Sequence, residues 1–487
     1  LPCKHHIIAS AIEGTCVTLS NTKEGFGDLA LRAHHQTDKH IYYPLLTCRQ
    51  CGQPYIEGYH YNSKLHNRHP GATAAVQRKI FWLGEPSSNE IFDEDDEAEE
   101  STNQTWRSLH IDPSTGYILN AGGVQLFELK TEEDKFDRTH YLTHCAACNA
   151  SASGANAEII SRFYPGNESL SSVLTQRVLE ALPPQSLNQR PAAGRKLLTF
   201  SDNRQDAAFF APYFERTAND FAHRSAIVEA LSQDSAPIPF DTLANKIRAI
   251  WDKRNCFAYP DSNGDLRDYF DDVKDILTGK LSAEFCTPPG RRVSLESLGL
   301  VDVSYKDDKL DRVIRALVKE FDDLAKEDIR NLCLIFLEHI RRSKAVTNIP
   351  NNPDMNSAAI WGERYTGIKS FEYEKSGSEA THSWATQLGS KRHNRRTWYL
   401  TKQLGWTKER SQEFLQSMWT LLTKSKVLVS SGAGKALDAS LILLSAAKDV
   451  PLSKCKSCGL RQRHVVNNKC TSFGCTGEVE PCNPKEL

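Results

Sequence analysis

Three absences narrow the class of protein before any motif is considered. Lys and Arg number 60 and Asp and Glu 61, so the net charge is −1 and no overall field attracts nucleic acid. No apolar run approaches a bilayer span, and no charged-then-apolar signal segment opens the sequence, so we expect a cytoplasmic protein. No Ser/His/Asp, His-x-x-x-His or paired-carboxylate pattern marks an independent hydrolase. Any nucleic-acid contact must therefore come from local patches.

Cysteine, by contrast, is abundant near the end of the chain. Cys455 and Cys458 form one Cys-x-x-Cys pair, and Cys470 and Cys475 follow after a spacer of eleven residues. Thiolates are soft ligands, and four of them in a tetrahedron select Zn²⁺ or, less often, an iron–sulfur cluster. The spacing predicts one metal site, in which Gly474 suits a tight turn before the last ligand.

A second cysteine set lies upstream and predicts another zinc site. Cys48 and Cys51 form one pair, and Cys145 and Cys148 form another after 93 further residues. His144 could replace one thiolate, although four cysteines already complete a tetrahedral site. Disulfides or unrelated buried thiols are the alternative, which a reducing compartment disfavours.

A strand that leads into a helix is predicted from residue 196 onward. Residues 196–200 are an apolar run of strand length, and Asp202 with Gln205 three positions later matches a capping box. Arg204 falls in the first helical turn, where the helix dipole disfavours a cation. We expect Arg204 to serve an anion or an interface, and an exposed salt bridge is the alternative.

Two stretches are predicted to lack regular structure. Seven of the eight residues 93–100 are acidic, which indicates a disordered loop, with a DNA-mimicking or partner-binding tail as the alternative. Residues 183–195 are rich in Pro, Gln, Asn and Gly, and this composition is typical of a linker.

Residues 218–450 are predicted to be mostly helical, with a winged-helix-like part at their end. Apolar residues recur at helical spacing over 310–321 and 329–340. The later pattern predicts two helices followed by two strands, over 398–404, 408–423, 426–429 and 441–444. This order resembles a winged helix, which binds DNA in some proteins and only packs against protein in others.

A basic run adjoins the winged-helix-like part and predicts nucleic-acid contacts. It contains Lys391, Arg392, Arg395 and Arg396, and the aromatic residues Trp398 and Tyr399 follow after Thr397. Cations neutralise phosphates and aromatic rings stack on bases. A solvated loop is the alternative.

The motif around Arg204 adds a family resemblance. Leu198-Thr-Phe-Ser-Asp-Asn-Arg-Gln-Asp-Ala-Ala-Phe-Phe-Ala211 resembles the motif that opens the second RecA-like lobe of large DEAD/DEAH-box superfamily 2 helicases. These are relatives of the MrfA-like proteins and include members of the antiphage systems Druantia and DISARM. Residues 5–14, both upstream cysteine pairs, residues 170–176 and residues 474–482 resemble further parts of these helicases. The resemblance covers less than half of the chain.

The resemblance implies that this chain is an internal segment of an ATP-dependent DNA helicase or translocase that acts in antiphage defence or DNA repair. Asp202, Arg204 and Gln205 would then lie at the cleft between the motor lobes, near nucleic acid. No Gly-x-x-x-x-Gly-Lys-Ser/Thr loop is present, since Val429 and Ala436 break the pattern around Gly434-Lys435, and the Asp-Glu-x-His box is missing too. ATP and Mg²⁺ would therefore bind elsewhere in a longer parent protein, and this chain has no catalytic residues of its own.

The expected fold is mixed α/β, with a partial RecA-like lobe, two zinc-ribbon-like modules and a large helical insertion. The first residue is Leu1 and the 487 residues contain only two Met, so we expect a piece of a longer protein. The expected segments are the exit from the first lobe (1–40), a zinc-binding insertion (41–160), the start of the second lobe (161–217), a helical insertion (218–389), a winged-helix-like part (390–450) and a zinc ribbon (451–487). A non-enzymatic zinc scaffold that binds DNA or a partner protein is the alternative function.

Overall fold

The structure is a computed structural model in which mixed α and β elements form two compact units. It describes residues 14–20, 26–32, 35, 37, 40–49, 52–71, 76–83, 107–133, 140–146, 158–162, 166–184, 194–198, 204–254, 266–286, 294–350, 369–374, 381–389, 393–447, 451–458 and 460–482. The first unit takes up most of the chain as far as Ala222, and the second unit takes up most of the remainder from His223. None of the described helices is both long and apolar enough to cross a membrane.

The first unit is built around an antiparallel sheet. The strands of this sheet are β1 (Cys16–Leu19), β2 (Phe26–Ala30), β3 (Tyr42–Cys48), β4 (Pro54–Tyr61), β5 (Lys64–His66), β6 (Arg78–Trp82), β7 (Arg107–Ile111), β8 (Ile118–Leu119), β9 (Val124–Leu129) and β12 (Ile160–Arg162). Two further strands, β10 (Glu132–Glu133) and β11 (His140–Tyr141), form a separate antiparallel pair. The order across the sheet is β2-β1-β3-β4-β6-β9-β7-β8, with β12 on β3 and β5 on β4. Helix α1 (Gly166–Ala181) follows the last strand.

Alternation of apolar and polar residues gives this sheet one buried face. Tyr43, Ile56, Phe81 and Leu126 are fully buried in one apolar cluster. On β4, Glu57 is also buried, and its carboxylate pairs with the guanidiniums of Arg78 at 2.9 Å and Arg162 at 3.3 Å. The sequence pattern predicts strands near residues 15–19, 41–47, 81–83, 117–119 and 124–129, and a strand is present within a few residues of each of these positions.

The second unit combines helices with small sheets. Its elements are α2 (Arg204–Ser232), which crosses the unit boundary, and then α3 (Phe240–Lys253), α4 (Leu266–Phe285), β13 (Val301–Tyr305), α5 (Asp307–Glu320), α6 (Lys326–Arg342), β14 (Val346–Thr347), β15 (Ser370–Glu372), β16 (Thr381–Ser383), α7 (Arg395–Trp398), α8 (Lys408–Lys424), β17 (Leu428–Ser431), β18 (Gly434–Asp438), β19 (Ile442–Ala446), β20 (Leu452–Cys455), β21 (Arg461–Gln462) and β22 (Val479–Cys482). A π-helical turn, Tyr399–Gln403, continues directly from α7.

Helical periodicity predicts the central helices of this unit correctly. Leu310, Val313, Ile314 and Leu317 line the buried face of α5, and a similar stripe lines α6. Both helices start with acidic residues in the first turn and carry basic residues in the last turn, as the helix dipole favours. These stripes pack into the main apolar cluster of the unit.

The winged-helix-like prediction is right in its helices and wrong in one strand pairing. Helix α8 leads into a hairpin of β17 and β18, as a wing would require. The strand predicted over 441–444 exists as β19, but it leaves the hairpin and pairs with β13 from Val301↔Ala446 to Tyr305↔Ile442. The second strand of the hairpin is instead β18, which the sequence pattern does not predict.

The elements around the motor motif are described only in part. Helix α2 begins at Arg204, in agreement with the predicted helix. The strand predicted over 196–200 is not found at 196–198, and residues 199–200 lie outside the described residues. The acidic run and most of the predicted linker also lie outside the described residues, as do residues 5–12, for which the sequence pattern predicts a short helix. The RecA-like lobe therefore stays a prediction.

Candidate metal centre

A three-stranded ribbon near the end of the chain brings four cysteines together. The strand order is β21-β20-β22, with both pairings antiparallel. Cys455 ends β20 and Cys458 lies in the turn that follows. Cys470 and Cys475 lie in the loop between β21 and β22, where Gly474 has a φ of +81° that a residue with a Cβ rarely adopts. The predicted grouping of these four cysteines is confirmed.

The geometry of the four sulfurs fits a single tetrahedral ion. All four Sγ atoms lie within 4.8 Å of one another. The Sγ atoms of Cys455 and Cys475 are 3.6 Å apart, and those of Cys458 and Cys470 are 3.5 Å apart. A tetrahedron with Zn–S bonds of about 2.3 Å has S–S edges of about 3.8 Å. The thiols are too far apart for disulfides, whose S–S length is about 2.05 Å, so the cluster is suited to hold one ion.

Backbone donors surround the sulfurs and favour their anionic form. Cys455 Sγ accepts the N–H of Cys458 at 3.5 Å, Cys470 Sγ accepts that of Ser472 at 3.4 Å, and Cys475 Sγ accepts that of Gly477 at 3.4 Å. Hydrogen bonds to a thiolate stabilise the charged ligand, as second-shell donors do in metal sites.

The ribbon is anchored on the helical part of the same unit. Arg463 pairs with Asp302 of β13 at 2.9 Å, and the side chain of Asn331 on α6 donates to the carbonyl oxygen of Val465 at 3.0 Å. Phe473 belongs to the main apolar cluster of the unit. The metal ligands are therefore carried by loops that the protein core already restrains.

The structure describes two of the four cysteines of the upstream set. Cys48 ends β3 and Cys145 is buried, whereas Cys51 and Cys148 lie outside the described residues. The turn after Cys48 has a knuckle-like hydrogen bond from Gly52 N–H to the Cys48 carbonyl at 3.0 Å. Tyr55 Oη lies 3.0 Å from Cys145 Sγ. The neighbouring His144 contacts Thr143 Oγ1 at 3.0 Å, and the second zinc site stays a prediction.

The basic run is only partly suited to phosphate contacts. Arg395 is exposed at the start of α7, and Lys391 and Arg392 lie outside the described residues. Arg396, in contrast, is 1 % exposed, and its Nε donates to the Trp384 carbonyl at 2.8 Å. Its guanidinium lies 4.8 Å from the ring centroid of Phe371. The nucleic-acid role predicted for Arg396 is therefore corrected, because a cation buried against aromatic rings cannot reach a phosphate.

The aromatic residues after the basic run need the same correction. Trp398 and Tyr399 are both fully buried, so base stacking on them is excluded in this conformation. The run folds inward because Asn394 caps α7: its side chain accepts the N–H groups of Arg396 and Thr397 in a capping box. The Asn-x-x-Thr spacing was a usable sequence signal for this helix start.

Sequence reasoning missed two exposed cations beside Arg395. Lys402 lies in the π-helical turn and Lys408 is the first residue of α8. His393 lies close to both lysines: burial lowers the pKa of its imidazole, and the positive charges of Lys402 and Lys408 lower it further. The surface around this turn is therefore locally positive.

The predicted motor-motif residues are not brought together in the described part of the chain. Arg204 and Gln205 lie in the first turn of α2, and Asp202 lies outside the described residues. Their contacts with nucleic acid or a facing lobe stay predictions.

One comparison with known proteins gives a match. A family model described as the YjiV N-terminal domain matches residues 29–164. The matched range starts in β2 and ends just after β12, so the similarity covers most of the antiparallel sheet of the first unit. No curated protein and no solved structure matches the chain. The match covers less than a third of the chain and leaves out the metal centre.

Proposed function

We propose that this chain is an internal part of an ATP-dependent DNA helicase or translocase. It would contribute zinc-binding modules and the opening motif of the second motor lobe. The observation that carries the proposal is the Arg-Gln-Asp-Ala-Ala motif at residues 204–208, together with a helix that begins at Arg204. Antiphage defence or DNA repair belongs to the same proposal and depends on the family resemblance alone.

The motor itself is assigned to the parent protein. The chain lacks the phosphate-binding loop and the Asp-Glu-x-His box, so ATP and Mg²⁺ would be bound outside it. Alone, the chain is expected to hydrolyse no ATP. Its own cofactors are proposed to be two zinc ions, one at Cys455, Cys458, Cys470 and Cys475 and one at Cys48, Cys51, Cys145 and Cys148.

A contact surface for the nucleic-acid backbone is proposed around the π-helical turn. Arg395, Lys402 and Lys408 are exposed there, and each can neutralise a phosphate without reading a base. Lys391 and Arg392 precede this surface in the sequence and belong to the same proposal. Binding should then weaken steeply with salt, because each phosphate contact releases counterions.

The proposal is tested in the parent polypeptide that contains this segment. Arg204→Ala should lower DNA-stimulated ATP hydrolysis by about 10- to 100-fold, the loss expected for a charged hydrogen bond of about 1.5–3 kcal/mol. Arg315→Ala, an exposed arginine on α5, is the matched control and should leave the rate unchanged. A full stimulated rate in Arg204→Ala would contradict the motor assignment.

The second candidate function is a zinc scaffold without enzymatic activity. The anchoring of the ribbon on β13 and α6 is compatible with this candidate too, because such packing suits a binding platform as well as a motor. The two functions differ in one measurement. A parent polypeptide that binds DNA only when loaded with zinc, and shows no DNA-stimulated ATP hydrolysis, would be the scaffold.

A further inference from the structure

The π-helical turn Tyr399–Gln403 contacts the metal-ligand loop directly. The Leu404 N–H donates to the Tyr399 carbonyl at 3.1 Å, the i→i+5 pattern that widens a helix by one residue. Single π-helical turns occur frequently at functional sites. This one carries Tyr399, Leu400 and Gln403 into the interior of the second unit.

Gln403 reaches two of the four metal ligands. Its Nε2 donates to the carbonyl oxygen of Cys470 at 3.0 Å and also to that of Cys475. The side chain is only 8 % exposed, so both donors of its amide are spent inside the protein. A buried donor that loses its acceptor is costly because no water replaces the lost partner, so this pairing constrains the loop.

Two neighbours of Gln403 hold the same loop. The ring centroids of Trp398 and Phe473 are 5.6 Å apart, and Phe473 lies between the two cysteines in the sequence. The hydroxyl of Tyr399 accepts the N–H of Val466 at 3.4 Å. Helix α7 and the π-helical turn thus hold the loop from β21 to β22 at four points, which are Val466, Cys470, Phe473 and Cys475.

We propose that Gln403 is a positioning residue of the metal centre. By holding the carbonyl groups of Cys470 and Cys475, it fixes the backbone from which both thiols project. This inference depends on the zinc part of the proposed function and extends it beyond the four cysteines. The other two ligands, Cys455 and Cys458, are fixed by β20 and its turn, and Gln403 adds a restraint at the backbone of the two ligands in the second loop.

The coupling must act in both directions. If Gln403 raises the affinity of the centre for a metal ion, then the bound ion stabilises the π-helical turn by the same free energy. Lys402, which directly precedes Gln403 and is exposed, shares that turn. Removal of the ion should therefore loosen the turn as well as the ribbon.

The test is a Co²⁺ titration of the full chain in competition with a chelator. Co²⁺ reports tetrahedral thiolate ligation by its absorption, and the step that belongs to the ribbon is the one absent from Cys470→Ser. Gln403→Met keeps the length of the side chain and removes both donors. We expect it to bind Co²⁺ at the ribbon about 10- to 100-fold more weakly, as second-shell variants do. Gln416→Met, on the exposed face of α8, should bind like the wild type.

A second variant separates positioning from a loss of folding. Phe473→Leu weakens the packing against Trp398 but leaves the hydrogen bonds of Gln403 in place. It should lower the melting temperature more than it lowers Co²⁺ affinity, whereas Gln403→Met should do the opposite. Equal affinity in wild type and Gln403→Met, or affinity losses that simply follow stability in both variants, would overturn the proposal. A wild-type chain with no Co²⁺ or Zn²⁺ at the ribbon would instead refute the metal assignment itself.

Discussion

Replacement of one ribbon cysteine should remove one zinc ion per chain and loosen the ribbon locally. Cys470 Sγ lies 3.5 Å from Cys458 Sγ and accepts the N–H of Ser472. Structural zinc contributes about 10–16 kcal/mol through its ligands, so an equal share for one thiolate of four is about 2.5–4 kcal/mol. Cys470→Ser should therefore weaken binding by a factor of about 100 to 1,000, because each 1.4 kcal/mol is about tenfold.

The chain offers a matched control in the same ribbon. Cys482 lies at the end of β22, opposite Leu452 of β20, and is outside the four-sulfur cluster. Cys482→Ser should keep the full zinc content in elemental analysis after dialysis against a chelator. Amide hydrogen exchange should rise over residues 452–482 in Cys470→Ser and stay slow in α5 and α6. Wild-type zinc content in Cys470→Ser would refute the assignment of this ligand.

Three further perturbations test other parts of the second unit. Burial raises the pKa of Glu296, but the charges and hydrogen bonds of Arg341 and Arg342 together outweigh burial, so the pKa falls from 4.5 to about 2. A lowered carboxyl pKa stabilises the folded state fully above pH 4.5, and this stabilisation is lost as the pH falls from 4.5 towards 2. The melting temperature of the wild type should therefore fall across that range, and Glu296→Gln should remove this contribution to the pH dependence. Gly477→Ala would bring a Cβ to 2.7 Å from Cys455 Sγ, so its zinc content should fall in elemental analysis. Arg396→Ala should lower the free energy of unfolding, measured by thermal denaturation, by about 2 kcal/mol or more, because a desolvated cation–π contact is lost. An unchanged free energy of unfolding would contradict a core role for Arg396.

The ribbon site could be predicted from sequence because its information is local. Two ligands lie within one tight turn, and the other two follow within a short loop, so few conformations bring them together. The upstream set lacks this advantage. Its two pairs are separated by 93 residues, and the sheet pairing of β12 with β3 brings the later segment back to Cys48. Such long-range pairing leaves no mark in the spacing of the cysteines themselves.

The basic run shows where a pattern of residue types is insufficient. Arg395 and Arg396 are adjacent and chemically identical, yet one is exposed and the other is 1 % exposed. The helix started by Asn394 turns successive side chains to different faces, and the aromatic partners of Arg396 come from β15 and from the segment after β16. A count of charges cannot separate these two arginines, whereas the capping box gives the direction of the helix.

The same capping box bears on how the proposed phosphate contacts would work. Asn394 fixes the start of α7, Arg396 anchors it between aromatic rings, and Gln403 ties the end of the π-helical turn to the metal-ligand loop. Arg395 and Lys402 therefore project from a segment that is held at both ends. Cations on an ordered segment lose less conformational freedom on binding than cations on a flexible tail. Metal loading should accordingly strengthen nucleic-acid binding through this segment, although none of the four cysteines need touch a phosphate.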